Sequence, residues 1–149
     1  MAKIVINNCY GGFGLSPKAI AFILKQRNPD IELWYYKKTF DDRSLRYTYN
    51  IVEDVESASY VSLKYLGDTI EGVGTDLIRI EDNFVFSHQI NLQRHDPLLI
   101  KTVETLGDEA DDTFSELKVV DVDTDRYIIK EYDGLEEVVT PDMIHWIEI

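Results

Sequence analysis

A single cysteine, Cys9, is the only thiol in 149 residues. It excludes an intrachain disulfide framework and leaves no cysteine cluster for zinc. Basic residues are scarce too: 15 Lys and Arg stand against 28 Asp and Glu, a formal net charge of −13. Duplex DNA and anionic membranes both require positive surface, so neither fits as a main partner. No apolar run approaches the ~18 residues of a transmembrane helix. The chain opens with Met1-Ala2-Lys3 and a short strand instead of a long apolar leader, so the expected location is cytoplasmic. There is no internal repeat, low-complexity tract or linker, and residues 1–149 are expected to form one domain. So acidic a chain is either simply very soluble or docks on a basic surface.

What is present concentrates near the start. Residues 4–6 (Ile-Val-Ile) are apolar and β-branched, which suits a buried strand. Asn7 and Asn8 end it. Tyr10-Gly11-Gly12-Phe13-Gly14 follows, and then Ser16-Pro17, an N-cap and a first helical residue. The helix should stop before Asn28-Pro29, because a residue preceding proline is pushed out of the helical region.

Beyond it, residues 31–36 read as a strand. Residues 37–58 carry mixed signals and are expected at the periphery, with Leu45, Tyr47 and Tyr49 alternating and an exposed acidic loop near Glu53. Residues 59–66 read as a strand, Gly72-Val73-Gly74 as a turn, and residues 76–81 and 83–87 as the arms of a hairpin, with Ile90 and Leu92 continuing it. Asp96-Pro97 starts a second helix with a stripe of Leu99, Val103 and Leu106. Four carboxylates, Asp108, Glu109, Asp111 and Asp112, follow that helix. Opposed to the helix dipole, they are either a solvated tail or a partner surface. Three strands should close the chain, two of them joined at Asp133-Gly134, before a β-rich or mixed segment from Met143. The expected class is α+β, with two helices packed on a largely antiparallel sheet.

A strand–glycine loop–helix junction can cradle an anion, because backbone N–H groups and the helix dipole converge there. The named nucleotide motifs are incomplete, however. Gly14-Leu15-Ser16 lacks the lysine of a phosphate loop, and Pro17 stands where a dinucleotide fingerprint needs its third glycine. The loop is therefore either a tight connection with Tyr10 and Phe13 packed inward, or a ligand site whose aromatics stack on a base. The ligand version comprises Tyr10, Gly11, Gly12, Phe13, Gly14, Ser16, Arg94 and His95, with Arg94 meeting a phosphate. No catalytic residue is assigned. Cys9 and His95 would serve only in a small Cys–His enzyme, and Cys9 equally suits a buried strand end. Asp121, Asp123 and Asp125 imitate the start of a calcium loop, but Arg126 and Tyr132 replace its glycine and glutamate, so no metal or other cofactor is expected.

The stretch Asn7-Asn8-Cys9-Tyr10-Gly11-Gly12-Phe13-Gly14-Leu15-Ser16 resembles the opening of a family of small uncharacterised proteins of tailed bacteriophages and prophages. The resemblance recurs at residues 94–100, 103–107, 117–120 and 131–134 (Glu-Tyr-Asp-Gly). Residues 37–80 fall outside it. It implies a phage context and host-cell cytoplasm, and carries no activity or catalytic residue. Three functions follow as expectations: a non-enzymatic host-takeover or counter-defence protein binding a small nucleotide-like ligand at the loop; an acidic inhibitor or nucleic-acid mimic binding a basic host protein; and an enzyme using Cys9 or His95. Many tyrosines and β-edges make a homo-oligomer reasonable.

Overall fold

The computed structural model describes residues 2–73, 75–145 and 147–149. Gly74, in the expected 72–74 turn, and Trp146, in the C-terminal segment, lie outside the described residues, as does Met1. The class is α+β. There are four α-helices among the described residues, not two, because residues 75–90 fold differently from the expected hairpin.

The chain forms two compact units. The first runs from the chain start to Ala19 and resumes with Leu92–Ile149; the second is Ile20–Asn91. In the first unit, β1 (Ala2–Asn7) pairs antiparallel with β7 (Leu117–Val122), Ile4 opposite Val120 and Asn7 opposite Leu117. Ile4 and Val5 are completely buried, as the β-branched run requires. Helix α4 (Pro97–Leu106) lies against both strands. The Asp96 carboxylate caps it by accepting the Leu98 N–H at 2.8 Å, and Leu99 and Val103 are buried. Gly107, at φ 58°, ends the helix in a 3-10 turn (Gly107–Ala110). Strands β8 (Ile128–Tyr132) and β9 (Leu135–Val139) form a hairpin whose central residues, Asp133 and Gly134, both have positive φ, the geometry that two-residue hairpin turns favour.

Helix α1 (Pro17–Arg27) begins in the first unit and ends in the second. Ser16 Oγ accepts the Ala19 N–H at 3.1 Å, and the helix stops one residue before Asn28. The second unit is a five-stranded antiparallel sheet in the order β5-β3-β2-β4-β6. Its members are β2 (Trp34–Asp41), β3 (Arg46–Val52), β4 (Tyr60–Ser62), β5 (Thr69–Gly72) and β6 (Phe84–Val85). The segment expected at the periphery thus supplies β3 and most of β2, two of the three inner strands. Tyr36, Tyr49 and Phe84 are buried together as the core, with ring centroids 5.5 to 5.8 Å apart. Aromatic pairs at such distances contribute about 0.5–1.5 kcal/mol beyond burial. Alternation along 34–40 and 47–51 was the usable signal, and the intervening charges, all exposed at the hairpin turn, obscured it.

Residues 59–66 yield only three strand residues, because Ser62 Oγ accepts the Lys64 N–H at 3.1 Å and turns the chain away. In place of a hairpin, α2 (Thr75–Glu81) lays Leu77 and Ile80, three apart, on the aromatic core. Residues 87–90 form the short helix α3 (Ser87–Ile90), with Asn91 left-handed at φ 53°. A 3-10 turn at Pro141–Met143 follows β9, and no strand lies among the described residues after it, where a β-rich or mixed segment was expected from Met143.

Lys38 lies inside this second unit. Its Nζ is 3.2 Å from Glu81 and 4.3 Å from the Tyr47 ring centroid, with Tyr49 and Tyr60 beyond. Burial opposes its charge, but the Glu81 hydrogen bond and the tyrosines prevail and raise its pKa. Burial pushes the Tyr49 hydroxyl up to about 12. A tyrosine whose folded pKa exceeds its unfolded value stabilises fully below about pH 10 and loses that contribution as pH rises through the folded value. The second unit should therefore weaken between about pH 10 and 12. Urea titrations followed through that window should show a smaller decline for Tyr49→Phe than for the parent.

Candidate functional site

The motif-bearing stretches of the first unit meet at one place. Asn7, the last residue of β1, is fully buried and its amide is a hub. Its Nδ2 donates to the carbonyls of Cys9 (2.9 Å) and Gly134 (2.8 Å), and its Oδ1 accepts the Glu116 N–H (2.8 Å). The glycine loop is thereby tied to the β8–β9 turn and to the segment before β7. Gly11 lies against the Phe114 backbone so closely that a Cβ would overlap the carbonyl oxygen. Gly134, at φ 89°, leaves no room for a Cβ beside Gly12 N. Gly12, at φ 96°, faces open space. Gly14 faces Asp112, whose carboxylate would sit 3.0 Å from a Cβ there.

Arg94 is placed by a backbone bond from Val5 N to its carbonyl, 2.9 Å. Its guanidinium makes a two-pronged pair with Glu136, Nη1 to Oε1 at 2.5 Å and Nη2 to Oε2 at 2.8 Å. It also stacks on the Phe13 ring, 3.7 Å from the centroid. Glu136 Oε1 further accepts the Asn7 N–H at 2.7 Å. The Glu136 side chain is 8% exposed and that of Arg94 22%. Both ends of this ion pair are thus satisfied by the fold. A phosphate reaching Arg94 would have to displace a carboxylate already held by three donors, and desolvation makes such an exchange costly.

The remaining predicted residues have local partners. Ser16 Oγ, besides capping α1, donates to the Glu109 carbonyl at 2.6 Å. Cys9 Sγ sits 3.3 Å from the Phe114 carbonyl and 3.4 Å from Asn7 Oδ1. His95 Nδ1 is 2.7 Å from the Tyr127 hydroxyl, whose pKa is raised by burial against the opposing pull of Arg94. Among the described residues no hydrogen bond joins Cys9 to a histidine, so the structure does not assemble the nucleophile–base contact that a Cys–His enzyme uses. The acidic run after α4 is partly built into the fold: Glu109 pairs with Lys18 at 2.8 Å, and Asp111 Oδ1 accepts the Leu117 N–H at 2.7 Å.

Sequence reasoning missed Glu136, Phe114 and Tyr132. Glu136 reads as one acid among many in a strand, and only its burial distinguishes it. Phe114 and Tyr132 are 72% and 76% exposed, and Tyr10 is 67% exposed. Phe114 and Tyr10 flank the contact between Gly11 and the Phe114 backbone, and Tyr132 closes the strand that leads into Gly134. Three exposed aromatics therefore stand on segments that touch one another. The unit carrying them holds sixteen Asp and Glu against seven Lys and Arg. A cleft of about 430 Å³ in the same unit is lined by Asp121, Asp123 and Asp142 with Val122 and Met143. Among the described residues no three His, Cys, Asp or Glu side chains are grouped to hold a metal ion.

No family model matches the chain, and no curated protein or solved structure shows significant similarity to it.

Arg94→Ala should destabilise the first unit by about 3–5 kcal/mol, because Glu136 is left charged and buried. Arg94→Lys should recover only part, lacking the flat two-pronged fork. Chemical denaturation of both variants measures this. Gly134→Ala, which meets both positive φ and a backbone clash, should cost clearly more than Gly12→Ala, which meets only the backbone penalty of roughly 1–2 kcal/mol.

Proposed function

We propose that this chain is a non-enzymatic accessory protein that binds a basic partner protein through the Tyr10–Phe114–Tyr132 surface. The observation that carries this reading is the neutralisation of Arg94 by Glu136 in the same unit. The loop that looked receptive to anions offers no free guanidinium, while exposed rings and surrounding carboxylates offer what a cationic protein patch recognises. Large aromatics ringed by polar groups are characteristic of energetic centres in interfaces, and complementary charge accelerates and selects the encounter. The resemblance to phage proteins supports a host-takeover or counter-defence role in the host cytoplasm. No helix among the described residues is long and apolar enough to cross a membrane.

The small-ligand reading retains one specific support: Gly12 faces open space beside the exposed Tyr10. A nucleotide-like ligand there would depend on stacking and backbone N–H groups without help from Arg94.

The two readings separate in one set of measurements. Tagged protein used to capture partners from bacterial lysate should retain a basic protein. The measured affinity should fall as salt rises, and Tyr10→Ser with Tyr132→Ser should weaken it by at least about tenfold, the effect of losing aromatic anchors. A melting-temperature rise with a nucleotide or dinucleotide panel, abolished by Gly12→Val, would instead establish the ligand reading. Capture unaffected by both tyrosine substitutions would refute the proposed surface.

A further inference from the structure

The open end of the β2–β3 ladder, in the second unit, holds a cleft of about 530 Å³ lined by Leu33, Trp34, Tyr35, Ile51, Val52 and Glu53. Five of these six are apolar or aromatic and one is charged. That is the make-up of a small-molecule site, and the volume lies within the roughly 300–1,000 Å³ that such sites span. The ladder sets the walls. Tyr35 stands opposite Val52, and Tyr36, one step further in, opposite Ile51. Side chains alternate along a strand, so Trp34 and Ile51 lie on one face of the hairpin and Tyr35 and Val52 on the other. The cleft therefore wraps the end of the hairpin, with an indole on one side and a phenol on the other. Both rings are half-buried, whereas Glu53 is exposed at the bend that ends β3. The Glu53 carboxylate has no hydrogen bond or ion pair among the described residues, so the one charge in the lining is unmatched.

We propose that this cleft binds a small organic cation, a primary ammonium carried on an aromatic body. The apolar walls take the body, Glu53 pairs with the ammonium, and an aromatic ring face beside it attracts positive charge. The surrounding charge selects the same sign of ligand. Within four residues of the lining along the chain stand five carboxylates, Asp30, Glu32, Glu53, Asp54 and Glu56, against two basic residues, Lys37 and Lys38. Lys38 is already matched by Glu81 at 3.2 Å. The neighbouring segments add no net charge. Lys64 follows Ser62, the residue that pairs with Trp34, and Asp68, whose carbonyl accepts the Ile51 N–H, offsets it. An anionic ligand would meet this field unaided, because no arginine or lysine lines the cleft. The inference is independent of the Tyr10–Phe114–Tyr132 surface, which belongs to the first unit.

Three probes of closely similar shape and different charge test it: phenethylammonium, neutral phenethyl alcohol and anionic phenylpropionate. Each is titrated into the full chain at about 0.1 M salt and followed by amide NMR. Phenethylammonium should move the signals of Trp34, Tyr35, Val52 and Glu53, with a Kd of about 1 mM or tighter. It should bind about 3- to 30-fold more tightly than the alcohol, the combined effect of a cation–π contact and an exposed ion pair. Phenylpropionate should bind most weakly. Glu53→Gln removes the charge from an exposed side chain without partners and so leaves the fold intact. It should cut the affinity for the ammonium severalfold and leave that for the alcohol unchanged, a selective loss that a merely structural role would not produce. Equal affinity for the three probes, or an ammonium affinity indifferent to Glu53→Gln, would overturn the proposal. So would the absence of any shift at these amides up to about 10 mM ammonium, a tenfold excess over the expected Kd. Shifts at the same amides on raising the protein concentration alone would give the cleft to a side chain of a second copy and overturn the small-cation assignment. All of these outcomes leave capture of a basic partner by the first unit standing or falling separately.

Discussion

The first unit depends on one buried ion pair. Arg94 and Glu136 come from segments 42 residues apart. Their pairing brings the entry to α4, strand β9 and the end of β1 to one point, with Phe13 stacked on the guanidinium and the Asn7 N–H on the carboxylate. Each charge is tolerable in a poorly solvated place only because the other is there and the remaining hydrogen-bonding capacity is filled. The glycine loop then has its shape imposed from outside. Asn7 ties it to Gly134, Phe114 crowds Gly11, and the arginine that would have met an anion is occupied. A motif suggesting phosphate chemistry thus becomes part of a structural junction, and the functional interest moves to what that junction displays.

What it displays differs from what the second unit displays. Exposed aromatics among carboxylates mark the first unit. An exposed apolar hairpin tip, Phe40 and Leu45 beside two Asp and two Arg, marks the second. Neither is explained by packing within its own unit, and the left-handed Leu45 shows that the tip is maintained against a backbone preference. The net charge of −13 is shared unequally, with −9 of it on the first unit.

Local chemistry made some elements legible in advance. Ser16-Pro17 and Asp96-Pro97 each place a side-chain acceptor before a residue with preset φ, and both helices begin there. Asp133-Gly134 announces a hairpin because few residues accept two positive φ values in succession. Residues 75–90 read as a hairpin in sequence because a segment this short carries both alternation and a three-residue spacing. The choice fell to whether Leu77 and Ile80 could reach the Tyr36–Tyr49–Phe84 core. Residues 37–58 looked peripheral because their charges cluster at a turn, although the flanking tyrosines alternate as inner strands do.

The candidate site divides the same way. Sequence by itself determined which residues sit at the strand–loop–helix junction, where its helix begins, and that the chain carries a net charge of −13. Those properties depend on neighbours in the chain and on composition. Only the tertiary structure decided that Arg94 is spent on Glu136, that Phe13 turns inward to meet it, and that Tyr10 remains outside with Phe114 and Tyr132. Those outcomes depend on partners brought from far along the chain. Whether a charge is free or matched, and whether a ring is buried or exposed, is set by that long-range pairing.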